Sequence, residues 1–380
     1  MRVALLTNNL LPPREGIGRH LVELARRLPA FGIEALLVGR APAGSADGLV
    51  EIEGVPARRI DWKGPPPFGH VAAQRALHDW LEAGADGAEL LHVHLPLLLP
   101  LRTKLPVVVT VHSPMLADSA AITERGLGPL ARKAYARLFS RHCEQAWLDR
   151  ADSLVAVSAG VRDELVALYA LRGREPLVAS NGVDARFFAA APAVRRAAIV
   201  LYVGRLAVRK GLDRLLEAFA GLPERLSARL VLLGEGPLER ELRKRAELLG
   251  IAERVLFAGF VDRVTLRAWL ARAAVVVNPA DYESGPLTLL EAMAAGTPAV
   301  TTRTGLVPEL GADPPLSVVE RSVDSLRAGI EAVLADPQAA FERARRAQLL
   351  VRARFDWQRV ARELASVYGN VAAQPRARAA

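Results

Sequence analysis

Two carboxylates, Glu283 and Glu291, flank a predicted helix start in the segment DYESGPLTLLEAMA, residues 281–294. Glu283 precedes the helix, and Glu291 lies more than one turn inside it. The helix N-terminus between them offers backbone N–H groups and the helix dipole to an anion. Each carboxylate can accept hydrogen bonds from hydroxyl groups. This spacing therefore suits a ligand with hydroxyl-bearing groups on both sides of a diphosphate, which is the form of a nucleoside-diphosphate sugar.

The start of this helix has an unusual pair of residues. The sequence predicts Gly285 as the N-terminal cap and Pro286 as the first helical residue, because proline has a helical φ and its missing N–H costs little there. Leu287, Thr288 and Leu289 would then present the N–H groups that bind the anion.

A second polar segment, LYVGRLAVRKG, covers residues 201–211 at the predicted carboxyl end of a strand. Gly204 ends the strand, and Arg205 and Lys210 follow in the loop before the next helix. A guanidinium can bind a diphosphate through two hydrogen bonds, and an ammonium adds a compact positive charge. Taken alone, the segment favours a solvated basic loop over a diphosphate site.

Composition limits the choice of function. The 380 residues carry a net charge of +9 and suggest two domains of roughly 100 to 200 residues each. An anionic partner is expected, either nucleic acid, a membrane surface or a phosphate-bearing substrate. An aromatic content of 5% without a nucleic-acid-binding motif argues against nucleic acid. The single cysteine, Cys143, excludes an intramolecular disulfide and is expected to be a small buried residue.

The positioning elements are short apolar strands that alternate with amphipathic helices, a pattern typical of α/β folds with parallel sheets. The alternation pauses in a proline-bearing stretch at residues 188–196 and then restarts. We therefore predict two Rossmann-like, doubly wound units that face a cleft, since such sheets bind ligands beyond the carboxyl ends of their strands. The opening MRVALLTNNLL is interpreted as a strand rather than a signal peptide, and no transmembrane span is predicted, so a cytoplasmic location is expected.

Four motifs in the second half, taken in order, resemble a retaining glycosyltransferase of family 4 with the GT-B fold. They are GRLAVRKGLDRLLEAFA, LVLLGEGPLERELRKRA, VLFAGFV and ESGPLTLLEAMAAGTPAV. The first half agrees through EGIGRHLVELARRL, LLHVHLP, VTVHSP and ADSLVAVSAGVRDEL. The resemblance covers nearly the whole chain. It implies an acceptor-binding domain at 1–187, a linker and donor-binding domain at 188–352, a helix at 353–371 that crosses back to the first domain, and a flexible tail at 372–380.

The resemblance also implies roles for individual residues. Arg205 and Lys210 would neutralise the departing diphosphate, Glu283 would contact the transferred sugar, and Glu291 would contact the ribose. His112 matches the family histidine near the reacting sugar. The remaining donor-binding residues implied by the family are glycines and helix-start residues, namely Gly16, Gly204, Gly234, Gly236, Gly285, Leu287 and Thr288.

No cofactor other than the sugar-nucleotide donor and no metal are expected, because two cations and a helix N-terminus can stabilise the leaving diphosphate. His92 and His94 lie two apart on one strand face, but no further ligand follows at metal-site spacing. The sequence departs from the family at Glu15, which replaces a glycine of the first loop. It departs again at Gly285 and Pro286, which replace a Phe-Gly pair.

These motifs predict hexosyl transfer to a hydroxyl of a glycan or lipid-linked precursor. GDP-mannose, a UDP-hexose or a UDP-N-acetylhexosamine all fit as donor. A sugar-nucleotide 2-epimerase or another enzyme of the same fold, such as a glycan phosphorylase, is an alternative. A further alternative is a nonenzymatic basic protein that binds membrane or nucleic acid. Residues 129–141 could form a basic amphipathic helix that contacts an anionic membrane peripherally, or an ordinary solvated helix.

Overall fold

The structure is a computed structural model that describes residues 1–11, 16–42, 47–61, 68–96, 98–122, 126–190 and 196–374. The chain divides into two compact units, which are described separately. Unit one contains residues 1–120, 126–181 and 357–374. Unit two contains residues 121–122 and 182–356. Glu15, residues 191–195 of the expected linker and residues 375–380 of the expected tail lie outside the described residues.

The described part of unit one forms an eight-stranded sheet in the order β3-β4-β2-β1-β5-β6-β7-β8. Its strands are β1 Arg2–Leu10, β2 Glu34–Arg40, β3 Gly48–Ile52, β4 Val55–Ile60, β5 Leu90–Leu95, β6 Val107–Val111, β7 Ser153–Ala156 and β8 Leu177–Val178. All neighbouring strands are parallel except β3 and β4. β5 and β6 are buried along their whole length, as expected for central strands with both faces covered.

Helices accompany the sheet of unit one. They are α1 Gly16–Ala25, α2 Phe68–Glu82, α3 Met115–Ala120, α4 Leu127–Tyr135, α5 Arg141–Arg150 and α6 Ala159–Leu168. The last helix of the chain, Trp357–Ala373, also belongs to this unit. Its buried face, which includes Val360, Leu364 and Tyr368, lies against α1. Residues 372 and 373, expected in the tail, are therefore helical.

The described part of unit two forms a parallel six-stranded sheet in the order β11-β10-β9-β12-β13-β14. Its strands are β9 Ala197–Val203, β10 Arg229–Leu233, β11 Val255–Gly259, β12 Ala273–Asn278, β13 Ala299–Thr302 and β14 Ser317–Val319. Its helices are α7 Ala185–Phe188, α8 Leu212–Ala220, α9 Glu239–Leu248, α10 Arg263–Arg272, α11 Leu287–Ala294, α12 Val323–Ala335 and α13 Pro337–Arg354. With these named, the last helix of the chain is α14.

Several elements of the fold were not predicted, namely the hairpin β3–β4, the strand β14 and the helices α3, α5, α7 and α12. The hairpin β3–β4 turns through Glu53 and Gly54, both with positive φ, which is the two-residue turn that matches the twist of paired strands. In the sequence, this turn is indicated by the Glu53-Gly54 pair between apolar residues. β14 and α12 were also missed, because β14 has only three residues and none of them is fully buried.

The predicted basic amphipathic helix at residues 129–141 is instead divided among three elements. It covers most of α4, a π-helical turn at Ala136–Ser140 and the first residue of α5. Leu130 and Leu138 are 64% and 75% exposed. Phe139, expected on the same apolar face, is only partly exposed.

Candidate functional site

The polar residues of unit two lie on loops that follow strand ends. The chain leaves β12 at Asn278, passes Glu283 and enters α11 at Leu287. The prediction for the helix start was wrong by one position. Pro286, not Gly285, is the N-terminal cap, because its ψ of 106° is extended and its carbonyl accepts from Leu289 N–H at 3.1 Å. Leu289 is thus already bonded within the helix, and Leu287 and Thr288 are the amides that precede this first bond.

Lys210 and Glu283, predicted from separate motifs, meet in the structure. Lys210 Nζ forms an ion pair with Glu283 Oε1. The two side chains are 14% and 15% exposed, so the pair is accessible to a ligand and yet largely shielded from water. Since an ammonium also attracts phosphate oxygens and a carboxylate also accepts from hydroxyls, one ligand can engage both groups.

A second ion pair, which was not predicted, joins α8 to the loop that carries Glu283. Arg214 Nη2 lies 2.6 Å from Asp281 Oδ1 and 3.0 Å from the Pro279 carbonyl oxygen. Asp281 N–H donates to the Arg209 carbonyl at 2.8 Å. Gly211 makes this close approach sterically feasible, because a Cβ there would lie 2.2 Å from the Pro279 oxygen. The loop that carries Lys210 is therefore fixed to the loop that carries Glu283.

Glycines bring the loop after β9, which also carries Lys210, into backbone contact with the turn after β10. A Cβ on Gly234 would lie 2.0 Å from the Gly204 carbonyl oxygen, and one on Gly236 would lie 2.3 Å from that of Leu206. Leu206 N–H donates to the Glu235 carbonyl at 2.9 Å. Only glycine allows two backbones to approach this closely. The turn after β9 and the turn after β10 therefore form one packed surface.

The other predicted residues of unit two lie on these same elements. Arg205 follows Gly204 with an exposed side chain, and its carbonyl accepts from the Tyr202 hydroxyl at 2.9 Å. Glu291 lies in the second turn of α11 and is half-buried. Gly285 is half-buried in the loop before that helix. In unit one, Gly16 begins α1 and is exposed.

Unit one contains a cluster of buried histidines at the carboxyl ends of β5 and β6. His92 and His94 project from β5, His112 follows β6, and His20 on α1 completes the group. His94 Nδ1 lies 3.0 Å from His112 Nε2. His20 Nδ1 lies 2.9 Å from Asn181 Oδ1. Of these, the sequence singled out all except His20 and Asn181.

Burial keeps this cluster neutral. Burial lowers the pKa of His20 to about 4 and that of His92 to about 3. The positive charge of His20 in its protonated form also lowers the pKa of His92. Burial also lowers the pKa of His94 and of His112 well below the usual value. His92 is fully hydrogen-bonded, through Nδ1 to the Tyr368 hydroxyl at 2.7 Å and through Nε2 to Thr110 Oγ1 at 2.6 Å.

Glu144 on α5 is another buried titratable group of unit one. Its carboxylate accepts from the Met115 N–H at 3.2 Å and from the Tyr169 hydroxyl. Burial raises the pKa of this carboxyl to about 7. Cys143 beside it, expected to be buried, is only half-buried, and desolvation raises the pKa of its thiol.

Sequence reasoning missed His20, Asn181, Tyr368, Arg214 and Asp281. Each makes its contact with a residue far along the chain, and no local pattern marks such partners. Asp281 and Arg214 lie within the quoted motifs, but their neighbours Glu283 and Lys210 carried the recognisable spacing.

Comparison with known proteins agrees with this architecture. The model for "Glycosyltransferase Family 4" matches residues 14–187, and the model for "Glycosyl transferases group 1" matches residues 185–349. A glycogen synthase of Mycobacterium tuberculosis is 31% identical over 93% of this chain and 90% of its own. The structure of sucrose-phosphate synthase from Thermosynechococcus elongatus superposes with a TM-score of 0.81 at 21% identity, covering 97% of this chain and 98% of that one. Anabaena HepE in complex with UDP-glucose gives a TM-score of 0.73 at 19% identity, covering 97% and 100%.

Two α/β units with largely parallel sheets and these structural neighbours define the GT-B fold, and the predicted fold class is confirmed. The chain belongs to glycosyltransferase family 4. It is therefore an enzyme that transfers a glycosyl group from a nucleotide sugar. No helix in the described part of the chain has both the length and the apolar character needed to cross a membrane.

Proposed function

We propose that this enzyme transfers a hexosyl group, with retention of configuration and without a metal, from a nucleoside-diphosphate sugar to a hydroxyl of a saccharide or lipid-linked acceptor. GDP-mannose, a UDP-hexose and a UDP-N-acetylhexosamine are the donors to test first. Unit two would bind the donor and unit one the acceptor. The observation that carries the proposal is the contact between Lys210 and Glu283 beside the start of α11.

In this proposal the Lys210–Glu283 ion pair opens when the donor binds. The Lys210 ammonium turns to the diphosphate together with Arg205 and the amides of Leu287 and Thr288. The Glu283 carboxylate is then available to the hydroxyls of the transferred sugar, and Glu291 to those of the ribose. Positive charge placed before reaction stabilises the leaving diphosphate as its negative charge grows, so catalysis would need no divalent ion.

The proposed role of His112 rests on the family resemblance. As a neutral imidazole it would hold a sugar hydroxyl and stabilise developing charge. It would not act as a proton-abstracting base, because the leaving phosphate can accept the proton of the acceptor hydroxyl. Substitution of His112 by alanine is expected to lower kcat with little change in donor affinity. A loss of donor affinity without a change in kcat would contradict this role.

The donor is best identified by a thermal-shift screen of UDP-, GDP- and ADP-sugars, because a ligand that binds only the folded state raises Tm with its concentration. The Glu291→Gln variant should lose most of that shift, while Glu253→Gln, an exposed glutamate of the same unit, should keep it. Equal shifts in both variants would contradict the assigned site. Turnover of UDP-GlcNAc without any acceptor would instead indicate a sugar-nucleotide 2-epimerase.

We further propose that an anionic membrane is contacted through the surface around α4. Leu127, Leu130 and Leu138 are 86%, 64% and 75% exposed, and Arg137 and Arg141 are exposed beside them. Exposed leucines among cations are typical of interfacial segments. Cosedimentation with phosphatidylglycerol vesicles at low salt should fall in Leu130→Asn and remain in Leu248→Asn, a leucine of unit two that is 71% exposed. Binding that is equal in both variants would contradict the proposal.

A further inference from the structure

The buried histidine cluster of unit one has two ring nitrogens that no other described residue satisfies. Asn181 Oδ1 can only accept, so His20 Nδ1 carries the proton of that hydrogen bond and His20 Nε2 is left with a lone pair. His20 Nε2 and His94 Nε2 are both buried without a hydrogen-bond partner among the described residues. Buried polar groups normally have a partner, so these two nitrogens are positioned to bind a ligand.

The spacing of three of these rings fits one metal ion. The ring centroids of His20, His94 and His112 are separated by 5.5, 4.9 and 5.3 Å. Three imidazoles on one tetrahedral Zn²⁺, with Zn–N bonds of about 2.0–2.1 Å, place their centroids about 5 Å apart. One nitrogen from each ring lies within 4.8 Å of the other two. Small ring rotations would bring these nitrogens to the separation of about 3.4 Å required by such bonds.

We propose that His20, His94 and His112 form a binding site for one divalent transition-metal ion of the zinc type, with a water molecule as fourth ligand. Asn181 orients His20 in the way that outer partners commonly orient metal-binding histidines. His92 is not a ligand, because both of its ring nitrogens are bonded to Tyr368 and Thr110.

The chemistry of the surroundings favours this ion. Imidazole nitrogens bind a metal through a lone pair, and the three rings converge within the distance that one ion requires. Borderline-soft ions such as Zn²⁺ and Co²⁺ prefer imidazole, whereas Mg²⁺ and Ca²⁺ prefer oxygen ligands. The ion is not needed for glycosyl transfer. An effect of zinc on transfer rests on the proposed function, in which His112 contacts the sugar. A metal ion bound to the His112 ring would block that contact, so zinc would inhibit the enzyme reversibly.

The experiment measures metal binding by the full-length protein without substrate. Protein stripped with a chelator is titrated with Co²⁺, whose visible absorption reports four-coordinate binding, and Zn²⁺ is counted by elemental analysis after desalting. The wild type should bind one ion per chain. His20→Gln should weaken binding by about 100-fold, and Asn181→Ala by about tenfold, as expected for an outer partner. His142→Gln, an exposed histidine, should bind like the wild type.

Circular dichroism without metal confirms that each variant is folded, and Asn181→Ala provides the test if His20→Gln does not fold. The proposal is overturned if the wild type binds no stoichiometric metal, or if folded His20→Gln and Asn181→Ala both bind as tightly as the wild type. A further outcome is that zinc binds at one ion per chain and leaves the rate of glycosyl transfer unchanged. That result would overturn the proposed contact between His112 and the sugar, but it would support the metal site.

Discussion

At the carboxyl ends of their sheets the two units hold opposite kinds of polar side chain. Unit one places His92, His94 and His112 in the interior, where loss of water keeps their rings neutral. Unit two places Lys210 and Glu283 at a partly accessible surface, where each charge has the other as partner. A charge can remain at a site only if water or an opposite charge stabilises it. The difference therefore separates a charged surface suited to an anionic ligand from an interior in which neutral imidazoles present nitrogen lone pairs.

The largest expected effect concerns the charged surface of unit two. Lys210→Met should lower kcat by about 10²–10³-fold, because a preorganised positive group opposite a leaving anion is removed. Lys244→Met changes an exposed lysine on α9 of the same unit and should leave kcat unchanged. Steady-state kinetics with the donor found by thermal shift provides the measurement. A kcat within about threefold of wild type would contradict the proposal that Lys210 stabilises the leaving diphosphate.

The packed glycines test whether this surface depends on backbone contact. Gly234→Ala and Gly250→Ala both introduce a side chain at positive φ, at 133° and 68°. Only the first would also meet a neighbour, the Gly204 oxygen at 2.0 Å, whereas nothing lies within 4 Å of the second. We expect Gly250→Ala to cost about 1 kcal/mol and Gly234→Ala about 3 kcal/mol or more. Urea unfolding measures both, and equal losses would show that the two turns separate easily.

Glu144 tests the neutral interior of unit one by pH. Burial raises the pKa of its carboxyl from the usual 4.5 to about 7, so the folded state binds the extra proton at intermediate pH. Stability from this group is therefore fully present below about pH 4.5 and is lost as pH rises towards 7, by up to about 3 kcal/mol in total.

The check compares the wild type with Glu144→Gln, since the histidines contribute equally to both and cancel in the difference. The free energy of unfolding of the wild type, relative to the variant, should fall by about 1 kcal/mol per pH unit between pH 5 and 7. A difference that does not change with pH would mean that Glu144 is solvated and charged, and the contrast between the units would weaken.

The smallest expected effect concerns Arg214 and Asp281, which position the loops and do not contact the proposed ligand. Arg214→Ala should lower kcat/KM by about tenfold, and a double-mutant cycle with Asp281→Ala should show a coupling of about 1–2 kcal/mol. Exchange of the two residues, Arg214→Asp with Asp281→Arg, should restore part of the activity. Additive effects in the cycle would show that the two loops are held by other contacts.

The sequence predicted the alternation of strands and helices, and it singled out Lys210 and Glu283, which the fold brings together, because both predictions depend on local patterns. Short apolar runs such as those of β6 and β10 produce the alternating pattern, and Lys210 and Glu283 lie in motifs with characteristic spacing. Pro286 was assigned to the helix because its φ is helical, but its ψ depends on the loop that precedes it. The partners of the buried histidines could not be predicted, because only the folded chain brings them together.

The hydrogen bond between His92 and Tyr368 joins residues 276 positions apart, on β5 and on α14. Unit two, by contrast, is almost entirely one continuous stretch of chain. During synthesis on a ribosome, the second unit can therefore complete its fold while the first still lacks its last helix. Until α14 emerges, the imidazole of His92 has no tyrosine hydroxyl to bond, and the surface of α1 that α14 covers is exposed. A nascent chain halted before Trp357 would show this directly, as protease sensitivity confined to the half that was made first.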